Sequence, residues 1–346
     1  MTARLRTTRT LVATFCAGLC LSAAGDAGTR PQTGDTRIAR WKDDRKAAFL
    51  LMFDDSWPSH WQVAAPELAK RGLTATFYIN PGKGEHSKFA DKWEQEVWRL
   101  GMAYGCHTMT HRGAVSVEEA DREIGDCTRE ILRIVPGRTP RLVSWGMPGV
   151  KTWNVTPEQL HELLVKHHLV NRPDFKDHGA VYHLKTTAEM LALADRAIRD
   201  GDVEHLVIHG VERITPDWSY QDFWPLKQDV FLPLLDALKE RSDRGDLWVT
   251  DHISQHKYAT GRDAASVTSA ATSGSIRVEL SCTADPRFYD LPLTLVTRVP
   301  ASWSRCRISQ GTNTALATAE GGDVRYEAIP GRTPILLLPA GTAEAP

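Results

Sequence analysis

The chain has 346 residues, 42% of them hydrophobic, which is long enough for two globular domains with ordinary cores. Its 42 basic and 43 acidic residues give a formal net charge of −1. This balance produces no overall field that favours nucleic acid or an anionic membrane surface, so we expect neither as a partner. The sequence also contains no evident signal for an obligate protein partner.

The N-terminus has the pattern of a secretory signal. Arg4, Arg6 and Arg9 precede an apolar run from Leu11 to Leu21 and then the small residues 22–24. This order predicts a signal peptide over residues 1–24, cleaved from a secreted or periplasmic protein. A membrane anchor is the alternative, but about a dozen apolar residues fall short of the ~20 that a spanning helix needs. Residues 25–45 lack periodicity and predict a flexible leader.

Strands and helices are predicted to alternate from residue 46 to residue 261. The predicted strands are Ala47–Phe53, "LTATFYIN", "GMAYGCH", "RLVSWGMPG", "HHLVNRP", "EHLVIHG" and "LWVTD". The predicted helices are Val63–Arg71, Glu94–Leu100, Val117–Val135, Pro157–His168, Thr187–Arg199 and Val230–Arg241. About seven βα units favour a parallel sheet closed or partly closed into a distorted (β/α) barrel, with its active site at the carboxyl ends of the strands.

Beyond residue 262 the pattern changes to short strands. A linker rich in small residues, "ASVTSAATSGS", is followed by "SIRVEL", "PLTLVTRV", "RCRIS", "VRYEAI" and "PILLLP". These runs predict a separate small β-sandwich over residues 272–339. Four cysteines follow the signal peptide, and an oxidising compartment would permit disulfides. A Cys282–Cys306 pair is favoured because both lie in this short region, with buried free thiols as the alternative.

Polar residues that suit a metal follow several predicted strands. Asp54 and Asp55 end the first strand, and two adjacent carboxylates repel unless a positive group lies nearby. His107 and His111 in "HTMTH" are spaced i, i+4, which places both imidazoles on one face if the segment turns helically. Two imidazoles and one carboxylate are typical of a hydrolytic zinc site, with Asp55 as the third ligand. An HxxxH pair alone is a weak signal, but His209 in "LVIH" would reach the same rim.

These segments resemble the polysaccharide deacetylases of carbohydrate esterase family four. "LMFDDSWP", "LTATFYIN", "CHTMTH" and "LVIH" are similar to family motifs over residues 46–256. The resemblance implies that Asp55, His107 and His111 bind the metal, that Asp54 is the general base and that His209 is the general acid. The chemistry agrees, since an ionised carboxylate takes a proton from water and an imidazole donates one near neutral pH. Zinc is expected, with cobalt, nickel or manganese as alternatives.

Two parts of the family pattern are missing from this sequence. The third motif normally supplies an arginine that holds the base, but "SWGMPGV" retains only Pro148 and Gly149. Arg141 and Arg172 are candidate replacements, although each is expected to be a surface charge. The fourth motif, an Asp-rich stretch that ends in Trp, is matched at best by "NRPDF". Asp174 in that stretch is a weak candidate partner for His209.

Aromatic residues near these motifs suit a glycan, because sugar rings stack on indoles. We expect Trp57, Trp218 and Pro148 to contact the substrate, with Trp61 and Trp224 as weaker candidates. His60 is expected at the surface. The sequence therefore predicts a secreted, metal-dependent hydrolase acting on carbon–nitrogen bonds, which removes N-acetyl groups from an amino-sugar glycan. An O-acetyl esterase of the acetylxylan type and a non-catalytic glycan-binding protein are the alternatives.

Overall fold

The computed structural model describes residues 32–213, 221–331 and 333–340, which comprise a half-barrel and a second sheet. The half-barrel contains seven parallel strands, in the spatial order β6-β5-β4-β3-β2-β7, with β8 also paired to β2. These strands are β2 (Ala47–Asp54), β3 (Thr76–Ile79), β4 (Ala103–Cys106), β5 (Val143–Trp145), β6 (Leu169–Asn171), β7 (Val203–Ile208) and β8 (Leu247–Thr250). The predicted distorted barrel is confirmed.

Strand β2 lies at the centre of the half-barrel and is buried over its whole length. It pairs with β7 along one edge, while its other edge pairs first with β8 and then with β3. Alternate side chains point to opposite faces of a strand. Phe49, Leu51 and Phe53 therefore pack in the main core, while Leu50 and Met52 contact Tyr78 and Val207 in a second cluster.

Helices cover the strands of the half-barrel. They are α1 (Ala65–Lys70), α2 (Gly84–Lys88), α3 (Ala90–Gln95), α4 (Val117–Ile134), α5 (Pro157–Lys166), α6 (Thr187–Asp200), α7 (Gln228–Asp243) and α8 (His252–Asp263). The predicted helix at Glu94–Leu100 is wrong in its bounds, because α3 starts earlier and a separate 3-10 turn spans Val97–Leu100. Helix α8 was not predicted. It follows β8 directly and has few apolar residues, and its one sequence signal is the N-cap Asp251, which accepts from Ser254 N.

The second sheet has eight strands in the order β1-β11-β14-β13-β12-β15-β10-β9, all neighbours being antiparallel. The strands are β1 (Thr36–Ile38), β9 (Ala265–Ala271), β10 (Ile276–Cys282), β11 (Leu293–Arg298), β12 (Arg305–Gln310), β13 (Asn313–Glu320), β14 (Asp323–Ala328) and β15 (Ile335–Pro339). The two end strands approach each other where Ser269 Oγ donates to Gly34 O at 2.6 Å. The predicted all-β region is confirmed.

The predicted limits of this region need two corrections. Residues 33–45 are not a flexible leader, because β1 pairs with β11 and Tyr258 Oη donates to Ala39 O at 3.0 Å. Residues 265–271 are not a linker, because β9 pairs with β10 over its full length. Their small residues resemble a linker in sequence, but a strand at the end of a sheet needs few large side chains.

The favoured Cys282–Cys306 disulfide is wrong, since the four cysteines of the described residues are free thiols. Strand β15 separates β10 from β12, which places the two strands about 10 Å apart. Ile276 and Ile308 both lie opposite Leu337, whereas Cys282 lies well beyond the first and Cys306 before the second. The Cα atoms are therefore farther apart than a disulfide permits.

None of the helices within the described residues has the length and apolar character needed to cross a membrane. The predicted signal peptide, residues 1–24, lies outside the described residues, as does Trp218.

Candidate active site and metal centre

A cleft of about 610 Å³ opens at the carboxyl ends of the parallel strands. Asp54, Asp55, His107, His111 and His209 all line it, so the structure brings together the five predicted chemical residues. Asp54 ends β2, His107 follows β4 and His209 follows β7. Their convergence follows from the parallel sheet, because the carboxyl ends of parallel strands meet at one edge.

Asp55, His107 and His111 form a candidate metal centre. Their ligand atoms all lie within 4.8 Å of one another. Nε2 of His111 and Nε2 of His107 lie 3.1 and 3.7 Å from Asp55 Oδ1. That oxygen is buried and has no hydrogen bond to any described residue, which is costly for a carboxylate unless a cation binds it. Two imidazoles and a carboxylate fit a divalent metal, as the sequence predicts.

His107 has the protonation state that a metal ligand requires. Its Nδ1 donates to Gly146 O at 2.8 Å, which leaves the Nε2 lone pair facing Asp55. Burial lowers the pKa of His107 to about 4, against the opposing effect of the two aspartates. The ring is therefore neutral at neutral pH, and its Nε2 is available to a cation.

The His107–His111 loop is held by contacts that the sequence did not indicate. The segment does not form the helical turn on which the i, i+4 argument depended. Instead, Thr108 and His111 adopt left-handed φ values of 67° and 59°, which bring the two imidazole centroids to 5.1 Å. Asn80 Nδ2 donates to the carbonyl groups of His107 and Thr108, and Glu123 accepts from Thr110 N at 2.8 Å. Non-glycine residues rarely adopt such φ values, and they concentrate at functional sites.

Asp55 also has a left-handed backbone, with φ of 82°. Burial opposes its ionisation, but the imidazoles of His111 and His107 and the Lys83 ammonium hold the pKa of Asp55 below its usual range. Nζ of Lys83 lies 3.6 Å from Asp55 Oδ1. Asp55 is therefore ionised, with the Lys83 ammonium and two imidazoles around its carboxylate.

Asp54 is paired with Arg172, which corrects the prediction that this arginine is a surface charge. The guanidinium is buried and donates to both carboxylate oxygens, with Nη2 at 2.8 Å from Oδ2. Burial would raise the pKa of Asp54, but Arg172, with His107, lowers it to about 2. The arginine missing from "SWGMPGV" is thus supplied after β6. Arg141 is remote, donating to Val135 O.

His209 lies across the cleft from this pair. Its Nε2 is 3.9 Å from Asp55 Oδ2, and its ring has edge-on contacts with Phe175 and Phe223. Asp174 does not contact this ring, because its exposed carboxylate accepts from Lys176 N. His60 is buried rather than exposed, and its Nε2 contacts His209 O. His60 therefore supports the end of β7 and is not a metal ligand.

The wall of the cleft is aromatic, as expected for a glycan site, but its residues differ from those predicted. Phe175, Tyr182 and Phe223 line the cleft together with Pro148, and Phe223 is 43% exposed. Trp57 is buried behind Phe223, with ring centroids 6.2 Å apart. Trp57 thus supports the wall instead of facing the cleft. The sequence signal for Phe175 was an aromatic residue shortly after the end of β6, in "NRPDF". The signal for Phe223 was the aromatic stretch "QDFW" in the segment that follows His209.

A second group of residues with ligand-type side chains consists of His178, Glu204 and His205. The two imidazole rings are stacked 4.0 Å apart at an angle of 7°. A metal ion lies in the plane of each imidazole that binds it, and two stacked rings share no plane. Glu204 also accepts from Arg196 Nε at 2.6 Å, so we assign this group to an ion-pair network.

Comparison with known proteins supports the predicted resemblance. The family model for polysaccharide deacetylases matches residues 42–162. This matched segment contains Asp54, Asp55, His107 and His111, and the chain is therefore similar to the polysaccharide deacetylases over residues 42–162. A curated gellan lyase from a Bacillus species is 22% identical over 297 residues. That alignment covers 79% of this chain and only 12% of the lyase.

Similar solved structures include a family 4 carbohydrate esterase from Streptomyces lividans in complex with acetate. It is 19% identical with a TM-score of 0.41, covering 61% of this chain and 94% of that one. The peptidoglycan deacetylase PdaC from Bacillus subtilis is 18% identical with a TM-score of 0.41, covering 61% and 90%. A CE4 family pseudoenzyme from Bacillus anthracis is 12% identical with a TM-score of 0.42, covering 63% and 68%.

Proposed function

We propose that this protein is a secreted, metal-dependent deacetylase that hydrolyses N-acetyl groups of an amino-sugar glycan. The observation that carries the proposal is the different environment of two adjacent carboxylates. Asp55 faces His107 and His111 with an oxygen that lacks a hydrogen bond, whereas Asp54 is held by Arg172. Asp55 is thus suited to bind a cation, and Asp54 is suited to accept a proton.

Asp55, His107 and His111 would hold the metal, for which zinc is the first candidate and cobalt, nickel or manganese the alternatives. A divalent cation bound there would acidify water and polarise a carbonyl oxygen. Asp54, with its pKa lowered to about 2, is ionised at neutral pH and accepts the proton of the attacking water. His209, on the opposite side, donates a proton to the departing amine. Phe175, Tyr182 and Phe223 provide apolar faces for the sugar.

The test of this division is a set of site variants. His107→Ala and His111→Ala should lose bound metal and activity together. Asp54→Asn should retain metal while kcat falls by about 10²-fold or more, because a general base typically contributes that factor. Metal content per chain and acetate release from N-acetylated glycans are the measurements. Asp174→Asn, which changes an exposed carboxylate at the same cleft, is the matched control and should stay within about threefold of wild type.

A substrate panel separates the competing functions. Wild-type protein, with and without a chelator, is incubated with N-acetylated and O-acetylated glycans, and acetate is measured. Metal-dependent release from amino sugars supports the proposal, while release only from O-acetylated xylan identifies an ester hydrolase. No release from any glycan by metal-loaded protein favours a binding protein. Loss of metal from Asp54→Asn would contradict the roles assigned to the two aspartates.

Secretion is proposed from residues 1–24 alone. Expression of the full chain in a bacterial host, followed by N-terminal sequencing of the exported protein, tests it. A mature protein that begins near residue 25 is expected. Retention of the full-length chain in the cytoplasm would contradict it.

A further inference from the structure

The arginine that holds Asp54 comes from a distant strand. Arg172 follows β6, and three strands lie between β6 and β2 in the sheet. Four strand spacings amount to about 19 Å along the sheet, much more than an arginine side chain spans. The guanidinium reaches Asp54 only by crossing the concave interior of the half-barrel. The position of the guanidinium there depends on the side chain against which it packs, which is Tyr78.

Tyr78 lies beneath it and is itself fixed. Tyr78 on β3 is directly opposite Gly105 on β4, and a Cβ atom at Gly105 would lie 2.5 Å from the tyrosine ring. The ring therefore crosses β4 at a residue without a side chain. Its hydroxyl reaches Ser144 Oγ on β5 at 2.7 Å, and that oxygen lies 2.6 Å from His252 Nδ1. Tyr78, Ser144 and His252 are all buried.

The Arg172 guanidinium stacks on this ring, with Cζ 4.3 Å from its centroid. A planar guanidinium on an aromatic face has a favourable cation–π interaction, and stacking leaves its edge free for hydrogen bonds. The edge here is the one that donates to both oxygens of Asp54. The orientation of the ring therefore sets the orientation of the carboxylate.

Gly146 provides the space for this stack. A Cβ atom at Gly146 would lie 2.8 Å from the Tyr78 ring and 2.9 Å from Arg172 Cζ. Real Cβ atoms do not approach other atoms this closely, and both neighbours are confined by the buried network. A methyl group at residue 146 would therefore displace the guanidinium. Gly274, in the turn between β9 and β10 and away from the cleft, has no atom within 4 Å of such a Cβ.

We propose that Tyr78 and Gly146 are positioning residues that orient the base Asp54 through Arg172. The proposal rests on the proposed function, in which Asp54 accepts the proton of the attacking water. Neither residue needs to contact substrate for this role. Misplacement of a reacting group by about 1 Å can cost roughly 10²-fold in rate. The effect should therefore appear in kcat, with metal affinity and KM unchanged.

The experiment compares Gly146→Ala with Gly274→Ala in the full chain. We expect kcat for acetate release to fall about 10²-fold in Gly146→Ala, with KM within threefold and zinc affinity within twofold of wild type. Gly274→Ala should match wild type. Tyr78→Phe keeps the ring under Arg172 and should retain at least ten times the kcat of Tyr78→Leu, which removes it. This last comparison decides the matter if Gly146→Ala does not fold.

A crystal structure of Gly146→Ala provides a readout that does not depend on activity. The two hydrogen bonds between Arg172 and Asp54 should be broken or rearranged. An unchanged pair, a kcat equal to that of Gly274→Ala, or a loss of activity that parallels loss of zinc would overturn the proposal. If wild type releases no acetate, the proposed function fails, and the crystal structure alone decides whether Gly146 positions the pair.

Discussion

Asp54 and Asp55 are neighbours in sequence, yet their carboxylates have different partners. Asp54 ends the extended strand β2, whereas Asp55 has a φ of 82°, a backbone turn that separates the two side chains. One carboxylate then faces Arg172 and the other faces the imidazoles and Lys83. Two like charges at a strand end are tolerated because each has its own positive group.

Lys83 should weaken metal binding at the same site. Its Nζ lies 3.6 Å from Asp55 Oδ1 and 4.6 Å from the centroid of the Trp57 ring. Because a nearby ammonium repels a divalent cation, Lys83→Met should raise zinc affinity about tenfold in a competition titration. Lys88→Met, which changes a lysine over Phe89, is the control. Equal or weaker zinc binding by Lys83→Met would show that the ammonium does not oppose the metal.

At the scale of elements, local sequence patterns predicted long amphipathic helices such as α4 and α6 and missed α2 and α8. Helices α4 and α6 have N-cap residues Ser116 and Thr186 that accept from the third helical residue. Helix α2 has only five residues, and its Lys83 makes no side-chain capping bond. Short helices of this kind are stabilised by packing, which in α2 involves His86 stacked on Trp93 with centroids 5.3 Å apart.

The burial of His86 makes this element sensitive to acid. Neither ring nitrogen has a hydrogen bond to a described residue, and burial lowers the pKa of His86 to about 4. The unfolded chain, with a histidine pKa near 6.5, then binds more protons than the folded one between pH 6.5 and 4. His86 should therefore reduce the free energy of unfolding as the pH falls through this range, by about 3 kcal/mol in total.

Urea denaturation at pH 7 and pH 4.5 measures this effect. His86→Phe keeps an aromatic ring against Trp93 and removes the titration, so its unfolding free energy should fall less between the two pH values. His161→Gln changes an exposed histidine of α5 and should behave as wild type. An identical pH dependence in wild type and His86→Phe would contradict the assignment.

At the scale of the whole molecule, the second sheet is joined to the half-barrel by shared residues. Residues from 33 onward form one compact unit. Tyr258 of α8 is buried in the core of the second sheet with Val278 and Leu295, and Trp248 of β8 packs against that core. Strand β1, which precedes the half-barrel in sequence, pairs with β11. The first strand of the chain, β1, therefore belongs to the second sheet, and the strands of the half-barrel follow it in sequence.

Deletion of residues 265–346 should consequently destabilise the half-barrel. The truncated chain would expose Tyr258, Trp248 and Ile38, which pack on the deleted strands. We expect a lower Tm and aggregation in size-exclusion chromatography, since exposed apolar patches favour association. The control is Leu316→Ala, which changes an exposed residue of β13 and should leave Tm unchanged. A truncated protein with wild-type Tm and activity on small acetylated substrates would show that the second sheet only docks polymer.

The sequence by itself determined the features that depend on local pattern. Alternating apolar runs and caps predicted most strands and helices, and residues at strand ends predicted Asp54, Asp55, His107, His111 and His209. Parallel strands bring their carboxyl ends together whatever the curvature of the sheet, so the pattern of strands and helices alone predicted that these residues converge. The double Asp and the HxxxH spacing were the features that predicted a metal site.

The tertiary structure decided the features that depend on distances through space. Arg172 reaches Asp54 only because the sheet curves. The distance across the curved sheet is one side chain long, although the two residues are four strand spacings apart along it. Packing between the loops after β2 and β7 also places Phe223 in the cleft with Trp57 behind it. Likewise, β15 separates Cys282 from Cys306, and β1 joins a sheet formed mostly by the far end of the chain. Curvature and strand order arise from the packing of the whole chain, and a short segment of sequence carries no information about either.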